Sequence, residues 1–158
     1  MNNPPSLQFA ETIQRSTYEL VRYSVLCDRT CMEQMGITSS QGYTLLAVPE
    51  GESISMNDLS LKMKLASSTM TRMIDQLVQK GLVDRQADSE DRRVVRVRLT
   101  ERGGQAKKQL RETLQSFFLQ VLAEVPEDER ELVRHSLEIL NQAILNTLKS
   151  CCGSEFGL

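Results

Sequence analysis

The densest chemistry in this sequence lies between Asp91 and Gly103, where Arg92, Arg93, Arg96, Arg98 and Arg102 fall within one short stretch. Val95, Val97 and Leu99 alternate with Arg96, Arg98 and Thr100, the period-two pattern of a half-buried strand whose charged face points outward. A row of guanidinium groups on such a strand suits the gripping of DNA. A second set, Ser67, Ser68, Thr69, Thr71, Arg72, Gln76 and Gln79, occupies one face of a helical segment, opposite an apolar stripe of Met70, Ile74, Leu77 and Val78. Small hydroxyl side chains let a helix N-terminus come close to phosphates and base edges, and Arg72 and Gln76 have the reach for groove contacts. A solvated helix face would look much the same in isolation. Beside the arginine strand, the nucleic-acid reading takes precedence.

The third set is soft. Cys27 and Cys31 stand four residues apart, one turn along the same helix face. At that spacing the β-carbons are about 5–6 Å apart, too far for an unstrained disulfide but suited to sharing a soft metal or metalloid. Both also fall on an apolar stripe, where cysteine serves as a small hydrophobe, and both readings stand. Cys151 and Cys152 are adjacent in what reads as a tail over residues 151–158 that buries nothing, where a paired soft-ligand or redox role is the stronger reading. His135 has no second histidine beside it and reads as a surface residue. No Ser-His-Asp set, phosphate-cradling glycine loop or catalytic carboxylate pair stands out. Neither cysteine pair is a Cys-x-x-Cys motif or opens a helix after a strand, where a thiolate would be stabilised. A thiol-based redox enzyme is therefore the weaker alternative. No catalytic residue and no cofactor is assigned, beyond a small-molecule effector or a soft metal or metalloid.

These groups need a scaffold, and composition says which kind. The chain has 158 residues, no tryptophan, 4% aromatic residues and a net charge of −2. Low aromatic content with abundant leucine, methionine and valine favours helical packing over a sandwich or barrel. The mild acidity does not oppose DNA binding, which needs only a local footprint. Between Lys62 and Arg102 there are ten Lys or Arg against six Asp or Glu, while the acidic surplus gathers at Glu127, Asp128, Glu129 and Glu131. No apolar run approaches the roughly 20 residues that span a bilayer, and Met-Asn-Asn-Pro-Pro lacks the regions of a signal peptide. A cytoplasmic location with no membrane partner is expected, and with it free thiols rather than a disulfide framework.

Periodicity then places the elements. Phe9, Ile13, Thr17, Leu20, Ser24, Cys27, Cys31 and Met35 recur at steps of three and four, so residues from Leu7 to Met35 read as one long helix stopped by Gly36. Thr38 and Gln41 form a capping box that opens a short helix to Val48, and Pro49, Gly51 and Ser53 mark a loop. Ser55 caps a helix from Met56 to Met63, with Leu59 and Met63 on its buried face. The next helix runs from Ala66 to Lys80 and stops at Gly81. Residues 82–85 and the arginine strand then make a hairpin with its tip at 87–92. Thr100 caps a long helix marked by Ala106, Leu110, Leu114, Phe117, Val121 and Val125, which Pro126 breaks. Val133, Leu137, Leu140, Ile144 and Leu148 mark the last helix. The long terminal helices are too narrow-striped to make a core alone, so packing against a second copy is expected.

Asp91, Arg93, Val97, Leu99, Thr100 and Gly103 fill, in register, the Asp-x-Arg, Val/Ile, Leu-Thr-x-x-Gly pattern of the wing in the MarR family of bacterial repressors, which this sequence resembles. The string Ser68 to Leu77, continuing through Lys80-Gly81-Leu82-Val83-Asp84-Arg85, is similar to that family's recognition helix and following turn. The resemblance implies a mainly α chain: a winged helix-turn-helix over residues 37–104 with a small β-hairpin wing, flanked by dimerisation helices over 1–36 and 105–150. It implies a homodimer on double-stranded DNA with a pseudo-palindromic operator. Arg93 would enter the minor groove and Asp91 would brace the wing; the other arginines, Arg92, Arg96 and Arg98, suit backbone contacts, with the alternative that one or two of them only solubilise the strand. The releasing signal is left open among a small amphipathic ligand, thiol oxidation and a soft metal acting at Cys27, Cys31, Cys151 and Cys152.

Overall fold

Local capping chemistry sets most helix boundaries in this computed structural model, which describes residues 5–152. Helix α1 spans Leu7–Gln34, its first turn capped by the Ser6 hydroxyl, which accepts from the Phe9 amide at 3.3 Å. Helix α2, Ser39–Ala47, opens on the reciprocal box: Thr38 Oγ1 accepts from the Gln41 amide, and Gln41 Oε1 accepts from the Thr38 amide. Ser55 caps α3, Met56–Met63, its hydroxyl accepting from the Asp58 amide at 3.0 Å. Helix α4, Ser67–Gln79, ends where Gly81 turns left-handed at φ +67°, a conformation glycine adopts without steric cost.

Strands β1 (Ser53–Ser55), β2 (Val83–Ala87) and β3 (Val95–Leu99) form an antiparallel sheet in the order β1-β3-β2. Val83 pairs with Leu99 and Ala87 with Val95 across the hairpin, and Ile54 pairs with Val97 on the other side. The sheet therefore has a third strand where the sequence pattern shows only a loop. Three residues are too few to display a period, and β1 is a strand because β3 offers it a partner.

Thr100 caps α5, Glu101–Ala123, accepting from the Gly103 amide at 2.9 Å. Gly103 crosses directly over the Leu82 carbonyl, and a Cβ there would lie 1.8 Å from that oxygen. A short 3-10 turn, Glu127–Glu129, follows Pro126 and leads into α6, Arg130–Cys152. Because α6 runs this far, Cys151 and Cys152 stand in its last turn instead of in a tail; residues 153–158 lie outside those described.

The core gathers where the short elements meet. Leu45, Val48, Leu59, Met70, Ile74, Leu77, Val83, Val97 and Leu110 are fully buried together, joined by Met32 from the end of α1. Val78, expected inside, is exposed, because only Met70, Ile74 and Leu77 of α4 face this centre. Lys107 of α5 is buried as well: its Nζ donates to the Val48 carbonyl at 2.5 Å and lies 3.8 Å from Glu50, tying α5 to the end of α2. Burial pushes its pKa down. The far reaches of the long helices contribute nothing to this core. Phe9, Leu20, Leu137 and Ile144 are exposed.

Candidate nucleic-acid interface

The buried trio on α4 turns the opposite face outward. Ser67, Ser68, Thr71 and Arg72 are exposed there and Thr69 is half-buried. The cap residue Ala66 carries no side-chain acceptor, so the amides of the first turn are left for an outside anion. Thr71 Oγ1 donates back to the Ser67 carbonyl at 2.8 Å. Gln76 differs from the rest of the set. It sits in the third turn, and its Oε1 accepts from Gln41 Nε2 of α2 at 2.9 Å. A neutral bond of this kind contributes about 1 kcal/mol. It holds α4 against the α2 capping box through the Gln76 amide oxygen, while the residue itself stays exposed.

The wing is built around an aspartate that the sequence pattern did not single out. Asp88 Oδ1 accepts from the amides of Glu90, at 2.8 Å, and Asp91, at 3.3 Å, while its other oxygen takes the Arg96 Nε. The Arg96 guanidinium and these amides hold the Asp88 carboxyl down at about 2. Asp91 then accepts from the Arg93 amide at 2.9 Å, which fixes the bend carrying Arg93. Asp-x-Glu at a hairpin tip is an Asx-turn signal, so Asp88 was readable in principle.

The arginines divide accordingly. Arg92 and Arg93 stand exposed at the tip and, among the described residues, form no ion pair. Arg96 is turned inward: it pairs with Asp88 and its Nη1 donates to the Ser53 carbonyl of β1 at 3.1 Å. Its geometry is that of a brace across the sheet, in place of the expected backbone contact. Arg98 faces outward opposite Asp84, at a loose 3.8 Å. Arg85, absent from the expected set, reaches from β2 to α4, 2.6 Å from the Asp75 carboxylate and 2.9 Å from the Thr71 carbonyl. It fixes the wing against the helix. Between them lies a groove of about 450 Å³ bordered by Asn57, Ser67, Thr71, Arg85 and Arg93.

The family profile for MarR matches residues 37–95, the stretch that carries this geometry as far as the first residue of β3, with Arg96 and Arg98 beyond it. YdgJ of Bacillus subtilis (strain 168), an uncharacterized HTH-type transcriptional regulator, is 32% identical over 111 residues, 70% of this chain and 68% of its own length. The chain belongs to the MarR family. Its fold is the MarR winged helix: a MarR family protein from Bacillus stearothermophilus superposes with a TM-score of 0.79 at 25% identity, covering 90% of this chain and 99% of that one. Streptococcus pneumoniae FabT, in a structure with DNA, shares the fold at a TM-score of 0.78 and 16% identity, over 87% of this chain and 99% of its own. As a MarR-family member the chain is a transcriptional regulator and not an enzyme. Among the described residues, no helix is long and apolar enough to cross a membrane.

In this MarR chain the thiols lie away from the groove. Cys27 and Cys31 are half-buried on α1 with their sulfurs 3.9 Å apart. Burial, the Cys31 sulfur and the negative charge of Asp28 push the Cys27 thiol up to about 11, so it is protonated at neutral pH. Asp28 accepts a hydrogen bond from the Tyr43 hydroxyl of α2, and desolvation with this bond raises Tyr43 to about 12. Cys151 is exposed at the far end of α6. No group of three or more His, Cys, Asp or Glu among the described residues is arranged to hold a metal ion.

Proposed function

We propose that this protein is a homodimeric repressor that binds a pseudo-palindromic operator in double-stranded DNA, with α4 in the major groove and the wing tip in the adjacent minor groove. One observation carries the reading. The uncapped start of α4 and the unpaired Arg93 border one groove, and Arg85 fixes the distance between them. In this arrangement Ser67, Ser68, Thr69 and Thr71 meet phosphates and base edges, Arg72 reads a base, Arg93 enters the minor groove, and Arg92 and Arg98 meet the backbone. FabT, a neighbour in fold, forms a complex with DNA. Two copies would pair through the bare apolar faces of α1 and α6, setting the lobes at half-sites about 34–36 Å apart. Repression follows by occupying a promoter, and release by any signal that changes lobe spacing.

The test is binding of the reduced protein to duplexes selected from a random pool, with Arg93→Ala as the control. Recovery of an inverted repeat bound by two chains supports the reading. Selection of no sequence, or an Arg93→Ala protein that binds as well as the wild type, sinks it.

A further inference from the structure

One cluster in the molecule has no part in the DNA-facing geometry. Cys27 and Cys31 point the same way from successive turns of α1, their sulfurs 3.9 Å apart. Between them in sequence, Asp28 is hydrogen-bonded to Tyr43 of α2. Helix α2 in turn meets α4 through Gln41 and Gln76. We propose that Cys27 and Cys31 form a two-thiol receptor for a monosubstituted trivalent arsenical, and that its occupation lowers DNA affinity through α2.

Three features select this ligand class. A direct disulfide needs β-carbons about 3.5–4.5 Å apart, whereas one helical turn sets them at about 5–6 Å, so a bridging atom fits where an S–S bond strains the helix. Zinc in structural sites takes four ligands, and no set of three or more donors is present among the described residues. A linear two-coordinate soft cation would set its sulfurs farther apart than the 3.9 Å seen here, so the site suits a bent soft acceptor held by two sulfurs, with its third valence filled by its own organic group. The chemistry balances without an oxidant. An arsenic(III) oxide R–AsO forms two As–S bonds, its oxygen leaves as water with the two thiol protons, and arsenic stays trivalent. Closure of this bridge stiffens the turn that carries Asp28, on which Tyr43 hangs.

The regulatory half rests on the DNA-binding reading above, so the experiment separates them. Full-length protein carrying Cys151→Ser and Cys152→Ser is titrated with phenylarsine oxide and read by native intact mass, then by affinity for a duplex selected with the reduced protein. One adduct per chain is expected, removable by a dithiol but not by a monothiol. Adding Cys27→Ser or Cys31→Ser should weaken capture by about 100-fold or more, the loss expected when two linked contacts become one. No adduct, or undiminished capture by either single variant, overturns the receptor. An adduct with unchanged DNA affinity overturns the coupling. Failure of the untreated protein to bind any duplex counts against the DNA-binding reading and leaves the mass result to decide the receptor.

Discussion

Between Ile37 and Leu110 the chain buries its own core, whereas α1 contributes only Met32 to it and α6 contributes nothing. Apart from the open start of α4, the lobe closes its polar groups internally too: Thr38, Ser55 and Thr100 cap its other helices, Lys107 fills the end of α2, and Arg96 and Arg85 lock the wing. The arms instead present Phe9, Leu20, Leu137 and Ile144 to solvent. Exposed apolar residues in such number on two long helices mark an interaction surface. The contrast teaches that lobe stability is a property of one chain, while the placement of the lobe depends on what covers the arms.

The largest effect should come from breaking the arms. Leu137→Glu with Ile144→Glu places charge on the bare face of α6 and should convert the proposed homodimer to monomers that retain a folded lobe. Specific DNA binding should fall by about 10²–10⁴-fold, the avidity of two linked half-sites. Light scattering and a binding isotherm check this together; a variant that remains dimeric and fully active would place the interface elsewhere.

Breaking the lobe calls for the opposite kind of change. Gly103→Ala drives a methyl group into the Leu82 carbonyl, which is already bonded to the Thr100 amide at 3.2 Å. Overpacking of this kind costs about 1–3 kcal/mol, occasionally more. The denaturation midpoint should drop without loss of dimer at concentrations where the protein stays folded. An unchanged midpoint would mean that the α5 junction yields easily.

Within the lobe, the comparison sharpens to wing tip against wing base. Arg93→Ala should cost about 1–3 kcal/mol of specific binding with no change in stability, since the side chain is exposed at the tip. Arg96→Ala should also weaken binding, but by loosening the wing. The slope of log affinity against log salt should then stay as in the wild type, because no phosphate contact is lost. A slope reduced by about one would return Arg96 to the backbone.

What could be read from sequence was local. The caps at Thr38, Ser55 and Thr100, the stop at Gly81 and the alternation in β3 each depend on residues within a few positions, and the helices stand within a residue or two of where those signals place them. The contacts that define the site are different. Arg85 meets Asp75 from another element, Gln76 is occupied by a residue 35 positions away, and β1 exists only against β3. Exposed charge in a pattern shows which face is polar. It does not show which of those polar groups already have partners, and so Arg96 and Gln76 read as free.

The smallest effect concerns two carboxylates, one in each region. Asp88 in the wing and Glu131 on α6 are both held below their ordinary pKa, foremost by hydrogen bonds from Arg96 and Arg134 respectively. Asp88 also has two backbone amides and a side chain only 14% exposed, whereas Glu131 is 75% exposed. For a depressed acid, the stabilisation is complete above the unfolded value and disappears as pH falls through the folded one. For Asp88 that window runs from 3.8 down to about 2. Salt screens exposed pairs far more than buried ones. Carboxyl titration by NMR in low and high salt should therefore show Glu131 returning toward its ordinary value while Asp88 stays near 2. In Arg96→Ala the Asp88 midpoint should rise only part of the way, since the amides of Glu90 and Asp91 remain. A return of Asp88 to 3.8 in that variant would show that the turn is held by the arginine alone and not by its own backbone.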